Sequence, residues 1–153
     1  MAYILMIAFV IMLILVAIVD NWKMEIPNGF VIIIAMIAIM AMVFQDNMSL
    51  TNRLIGMVCV SLPLLIITMI VPNAFGGGDI KLMAASGFYL GWQLTLLSFL
   101  FAVLAGGIYG IGLLATKKKE RKEHFAFGPF LCGGMVISLF LGKEIINWYI
   151  GIM

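Results

Sequence analysis

The apolar stretch Leu82–Ala115 runs 34 residues without a charged side chain. As one helix it would reach about 51 Å at 1.5 Å per residue, against a hydrocarbon core of roughly 30 Å. It is too apolar to face water and too long for a single crossing, so it has to break. Gly87, Gly91 and Trp92 mark the expected break. The part after it, Leu94–Ala115, is a full span. The part before it reaches span length only if its helix begins near Gly76, which would put Asp79 in the first turn of a helix rather than in a free loop. The rest of the chain has the same character: of 153 residues, 65% are hydrophobic and 10% charged, where soluble domains carry about a quarter charged residues. Too few polar groups are present to cover a water-facing globule. Soluble domains, typical nucleic-acid binders and disordered chains are excluded.

Four further apolar runs complete the reading. Met1–Val19 carries no charge and ends at Asp20; without a basic start or a small-residue cleavage site it reads as a first membrane helix rather than a secretory signal. Phe30–Phe44 is a second, slightly short span, and Leu54–Val71 a third, with Pro63 in its middle and Pro72 just past its end. Phe125–Leu141 is the last span, and Ile145–Met153, with Trp148 and Tyr149, reads as an interfacial tail. With no repeat or linker, residues 1–153 form one expected domain: an all-α polytopic membrane protein with six transmembrane helices. Cys59 and Cys132 both lie in apolar runs and pack as small apolar groups, so no disulfide framework or four-cysteine zinc site can be built.

Basic residues set the parity. With six spans, one side holds Lys23, Lys81, Lys117, Lys118, Lys119, Arg121 and Lys122, and the other only Arg53 and Lys143. Lys and Arg in short loops favour the cytoplasm. Six spans with both termini outside follow.

Carboxylates bordering apolar spans are costly and functional by default. Asp20 closes span one, and Asp79 follows span three behind Gly76, Gly77 and Gly78. Two crossings separate them, so both fall on the cytoplasmic side. Glycines lack Cβ atoms and allow close backbone approach and unusual dihedrals. Two carboxylates in a low-dielectric site cannot both ionise easily and tend to share a proton. One can then act as base on a water while the other polarises a carbonyl, which is aspartic-protease chemistry. Each feature alone has a plainer meaning: a helix-end aspartate is a cap or solvated residue, and a glycine triplet is a turn.

Three motifs carry a resemblance. Asp20 is followed seven residues later by Pro27 of an Ile-Pro-Asn sequence ending at Asn28; Gly76-Gly-Gly-Asp79-Ile-Lys81 is a GxGD signature; and Phe127-Gly128-Pro129-Phe130-Leu131 opens the last span. Together, over Met1 to about Gly142, they resemble the type IV prepilin peptidases, membrane aspartic proteases of the GxGD class. The resemblance implies six core helices, catalysis by Asp20 and Asp79 on the cytoplasmic side of the cell membrane, and as substrate a pilin-like precursor cut between a short basic leader and a hydrophobic helix. Larger members carry an additional N-terminal region, often with a tetracysteine zinc loop, linked to methylation of the new N-terminus. This chain starts at the first core helix and lacks those cysteines, which implies a peptidase without methyltransferase activity. Glu25 stands where many members have a basic residue, and Ala126 where a proline is common; both bear on substrate handling more than on chemistry.

Other residues have paired readings. Pro27 and Asn28 end the loop and open span two, or contact substrate. Lys81 tunes the aspartates, or anchors by snorkelling. Gly128 and Pro129 shape the start of span six. His124 reads as a solvated loop residue rather than a ligand. No metal, cofactor or nucleic acid is expected, and the basic Lys117–Lys122 loop suits anionic lipid headgroups. Two other classes compete: a presenilin-type protease, disfavoured because no Pro-Ala-Leu motif follows, and a non-enzymatic transporter or assembly protein whose aspartates bind protons or ions. The parity argument also makes a direct prediction. A cysteine at position 118 (Lys118→Cys) is expected to resist an impermeant thiol reagent applied to intact cells, and labelling from outside would overturn the six-span arrangement.

Overall fold

The computed structural model of the protein describes residues 2–44, 48–72, 74–115 and 126–152. The expected basic loop Lys117–Lys122, His124, and Asp46 and Asn47 between the expected second and third spans lie outside the described residues. Among the described residues there are seven helices and no strand: α1 (Ala2–Lys23), α2 (Asn28–Phe44), α3 (Leu50–Cys59), α4 (Ser61–Ile70), α5 (Gly77–Leu90), α6 (Trp92–Ala115) and α7 (Gly128–Ile152). α3 and α4 run on as one rod, Leu50–Ile70, which with Tyr3–Lys23, Trp92–Gly112 and Gly128–Ile152 is long and apolar enough to cross a membrane. α2 is apolar but only 17 residues and α5 only 14, so they rise about 25 Å and 21 Å. These six rods make a multi-pass, all-α membrane protein.

Helix ends follow local chemistry. Ser49 caps α3, its hydroxyl accepting the Asn52 N–H at 3.3 Å, so the rod starts four residues before the expected Leu54 and takes Arg53 into the helix. Pro63 has no N–H for the carbonyl one turn back, and the rod is interrupted at Val60. The Ser61 hydroxyl donates to the Met57 carbonyl across the interruption. α4 stops at Val71, whose extended backbone is what the residue before a proline adopts. The long apolar stretch breaks at Gly91, with φ +77°, a left-handed conformation that glycine tolerates at little cost. The tail is a correction. Ile145–Ile152 is not a segment separate from the last span but the end of α7, because nothing in Leu141–Asn147 breaks a helix and Gly142 is packed against the Leu94 side chain.

Each rod buries one stripe. On α1 it is Leu5, Phe9, Leu13, Val16 and Asp20, at helical spacing, while Ile7, Ile11, Ile14 and Ile18 face outward. On α5 it is Asp79, Leu82, Met83, Ser86 and Tyr89. The rings of Phe9 and Tyr89 stack at 4.1 Å where α1 meets α5. Helices in lipid gain by close backbone approach through small residues. Gly56 of α3 and Gly87 of α5 meet backbone to backbone: a Cβ on either would collide with the other's carbonyl oxygen. Gly134 of α7 lies equally close to the Ser98 carbonyl of α6, and the Ser138 hydroxyl donates to the Leu94 carbonyl at 2.7 Å. Arg53, 2% exposed, donates to the Phe88 carbonyl at 3.3 Å and the Ala41 carbonyl at 3.5 Å. It thereby sets a positive charge against the C-terminal turns of α5 and α2, where the helix dipole favours one. In the sequence Arg53 reads only as a loop charge before the third span.

The crossing predicts a contrast. Gly87→Ala is expected to lower the thermal midpoint of the detergent-solubilised protein, by overpacking worth about 1–3 kcal/mol. Gly133→Ala, where a Cβ meets nothing within 4 Å, is expected to leave the midpoint in place. Equal midpoints for the two variants would refute the crossing.

Candidate active site

Asp20 and Asp79 come from inward stripes of different helices and meet at one end of the bundle. Both are largely buried, 5% and 8% exposed. α1 continues one turn past Asp20 and ends at Met24, whose N–H donates to the Asp20 carbonyl at 2.8 Å and whose φ is +52°, a left-handed C-terminal cap on a non-glycine residue. One side-chain oxygen of Asp20 accepts the Gly128 N–H at 3.0 Å. Gly128 is the first residue of α7, and its N–H is one of those a helix N-terminus leaves free; the dipole there also favours an anion. A Cβ at 128 would sit 2.5 Å from that oxygen, so only glycine allows the contact.

Asp79 is the third residue of α5 and Gly76 the N-cap. A Cβ on Gly76 would lie 3.2 Å from one of the Asp79 side-chain oxygens, and the first turn of a helix is where the dipole favours an acidic side chain. The glycine triplet therefore opens a helix instead of forming a free turn. Its backbone is ordinary, since the one positive-φ glycine among the described residues is Gly91, and the expected unusual dihedrals are absent. Close approach is what remains: a Cβ on Gly78 would lie 2.8 Å from the Ile26 Cβ, while Gly77 faces open space.

The two carboxylates are near enough for the charge of Asp20 to act on Asp79, and they share a cleft of about 1010 Å³. One wall carries Asp20, Lys23, Glu25, Gly76, Gly77 and Asp79; the other is the α6 face of Val103, Gly106, Gly107, Gly110 and Ile111, with Phe75, Ala126 and Phe127 between. The Phe75 and Phe127 rings approach to 5.9 Å. A recess of about 230 Å³ is bounded by Asp20, Asp79, Glu25, Ile26 and Gly76 to Gly78. The remaining expected residues lie outside both cavities. Lys81 donates to the Asn28 side-chain oxygen at 3.0 Å and ties α5 to the start of α2. The Pro27 carbonyl accepts the Phe30 N–H at 3.1 Å. Pro129 sits in the first turn of α7, where a missing N–H costs nothing. Glu25, expected to bear on substrate handling, borders both cavities, whereas no motif gives a place to the α6 glycines. The signal for the latter was present: Gly106, Gly107 and Gly110 put small residues on one face of an otherwise bulky helix. No group of three His, Cys, Asp or Glu among the described residues is arranged to hold a metal. A pair of buried carboxylates opening on a cleft can share a proton, activate a water and polarise a carbonyl.

Comparison with known proteins agrees with that chemistry. Residues 7–111 match the family model described as the type IV leader peptidase family. A prepilin leader peptidase/N-methyltransferase of Bacillus subtilis is 33% identical over 144 residues, 94% of this chain and 58% of that protein. Proteins of the same name from Legionella pneumophila and Aeromonas salmonicida are 45% and 38% identical over 76 and 78 residues, about half of this chain and about a quarter of theirs. The chain belongs to the type IV leader peptidase family. It spans between about a quarter and three fifths of the length of these curated relatives. No solved structure matches it.

Proposed function

We propose that the protein is an aspartic endopeptidase that removes the leader from type IV pilin-like precursors, with Asp20 and Asp79 as its catalytic pair. The observation that carries the reading is that α1 and α5 each deliver one buried carboxylate to the same cleft, within a chain of this family. In the reaction one aspartate is ionised and the other protonated. The ionised carboxylate takes a proton from a water as its oxygen attacks the scissile carbonyl carbon, and the protonated one donates a hydrogen bond to the carbonyl oxygen. Collapse of the tetrahedral intermediate then breaks the C–N bond as the amine nitrogen receives a proton. The Gly128 N–H holds Asp20 in place, and the first turn of α5 holds Asp79.

The site faces the cytoplasm in the cytoplasmic membrane. This orientation is supported by Lys23 and Lys81 near the aspartate end of the bundle and by the Lys117–Lys122 run in the sequence between α6 and α7. A precursor whose leader stays in the cytoplasm and whose apolar helix lies in the bilayer presents its junction at that depth. The cleft reaches from Val103 to Ile111 along α6, about 12 Å at 1.5 Å per residue, which accommodates a stretch of chain and not only one bond.

Co-expression with a pilin-like precursor, reading leader removal on a gel, tests the pair. Asp20→Asn and Asp79→Asn are each expected to insert normally and to slow cleavage by at least about a hundredfold, since an amide can neither share the proton nor activate water. Near wild-type cleavage by either variant would end the assignment. Gly128→Ala has a separate expectation: its methyl group displaces the Asp20 carboxylate and lowers the cleavage rate by about tenfold or more, as misplaced catalytic groups do. An unchanged rate would show that the Gly128 contact has no part in positioning.

A further inference from the structure

Glu25 borders both the cleft and the recess at the aspartates, and the reaction as written does not use it. Its neighbours fix where it stands. On one side Met24 leaves α1 in the left-handed conformation. On the other Ile26 is buried and pressed against the backbone of Gly78, where a Cβ would come within 2.8 Å of it. Glu25 is thus an exposed residue between a helix end closed by the Met24 backbone and the buried Ile26. Among the described residues no hydrogen bond or ion pair engages its carboxylate.

Among the described residues the charged groups around the recess have one sign. Asp20, Asp79 and Glu25 border it, and no described Lys or Arg does; Lys23 lines the larger cleft only. The three carboxylates do not form a metal-binding group. Glycine backbone and Ile26 make up most of the remaining wall, so a long side chain can lie along it with its cationic end at Glu25. A lysine or arginine side chain has that form: an apolar stem and a charged tip.

We propose that Glu25 is a specificity-determining residue, which selects precursors by pairing with a basic side chain of the leader close to the scissile bond. The inference rests on the peptidase reading. Asp20 and Asp79 are committed to the reaction, whereas Glu25 is free to bind. The pair forms on approach of the substrate and involves no bond being broken, so it acts on substrate capture rather than on the chemical step.

The test uses the full chain in proteoliposomes with two precursors that differ only in the basic leader residues nearest the cleaved bond, kept in one and changed to Glu in the other. Wild type is expected to cleave the basic precursor with the higher kcat/KM. Glu25→Gln is expected to raise KM for the basic precursor about three- to tenfold with kcat nearly unchanged, and Glu25→Lys to reverse the preference in favour of the acidic one. Added salt is expected to narrow the wild-type preference and to leave that of Glu25→Gln nearly constant, because screening weakens an exposed charge pair. If wild type cleaves and its preference survives in both Glu25 variants, the assignment of Glu25 is wrong while the peptidase reading stands. If wild type cleaves neither precursor, the peptidase reading fails and this inference with it.

Discussion

A carboxyl group held out of water needs hydrogen-bond donors or a favourable dipole, and at Asp20 and Asp79 helix starts supply them. Asp20 takes the N–H of Gly128 at the start of α7, and Asp79 stands in the first turn of its own helix. These two placements decide where three helices begin and end relative to one another. α1 must bring Asp20 to the mouth of α7, and α7 must start with a residue that has no side chain. α5 must start two residues before Asp79. Burial of the aspartates and the shared cleft follow from placing two carboxyl groups at helix N-termini in a bundle otherwise made of apolar side chains.

The remainder of the bundle keeps α5 in that place. Its Gly87 lies on the backbone of Gly56, its Tyr89 on the ring of Phe9, and its C-terminal turn on the guanidinium of Arg53. α5 is the shortest of the six rods and bears one of the two acidic residues of the cleft's core. It is also the rod most tightly gripped along its length. A short helix with a buried charge at one end gains little from lipid, so its position depends on neighbours.

Much of this was legible without coordinates because it depends on local rules. The uncharged runs marked the rods, Gly91 the break in the longest of them, and the length that the fourth span needs put Asp79 in a first helical turn. The end of α7 reads in the sequence as a separate tail because its apolar run stops at Leu141, whereas the backbone continues as a helix wherever nothing stops it. The role of Arg53 was hidden for a related reason. A lone arginine beside an apolar run reads as a loop charge until two helix C-termini are found to converge on it.

Sequence by itself determined the membrane class, the rods, the two aspartates and the side of the bundle on which both fall, because hydropathy, chain length and crossing parity are properties of the chain alone. It could not determine which face of each rod turns inward. In a soluble helix the polar face announces the outside; here lipid and core are equally apolar, and Ile7 facing outward is no more hydrophobic than Phe9 facing inward. The inward stripes, the close contact of Gly56 with Gly87, the α6 wall of the cleft and the place of Glu25 beside the aspartates were decided by packing between rods distant in sequence. That choice rests on shape and on a few backbone hydrogen bonds, not on any pattern the linear chain displays.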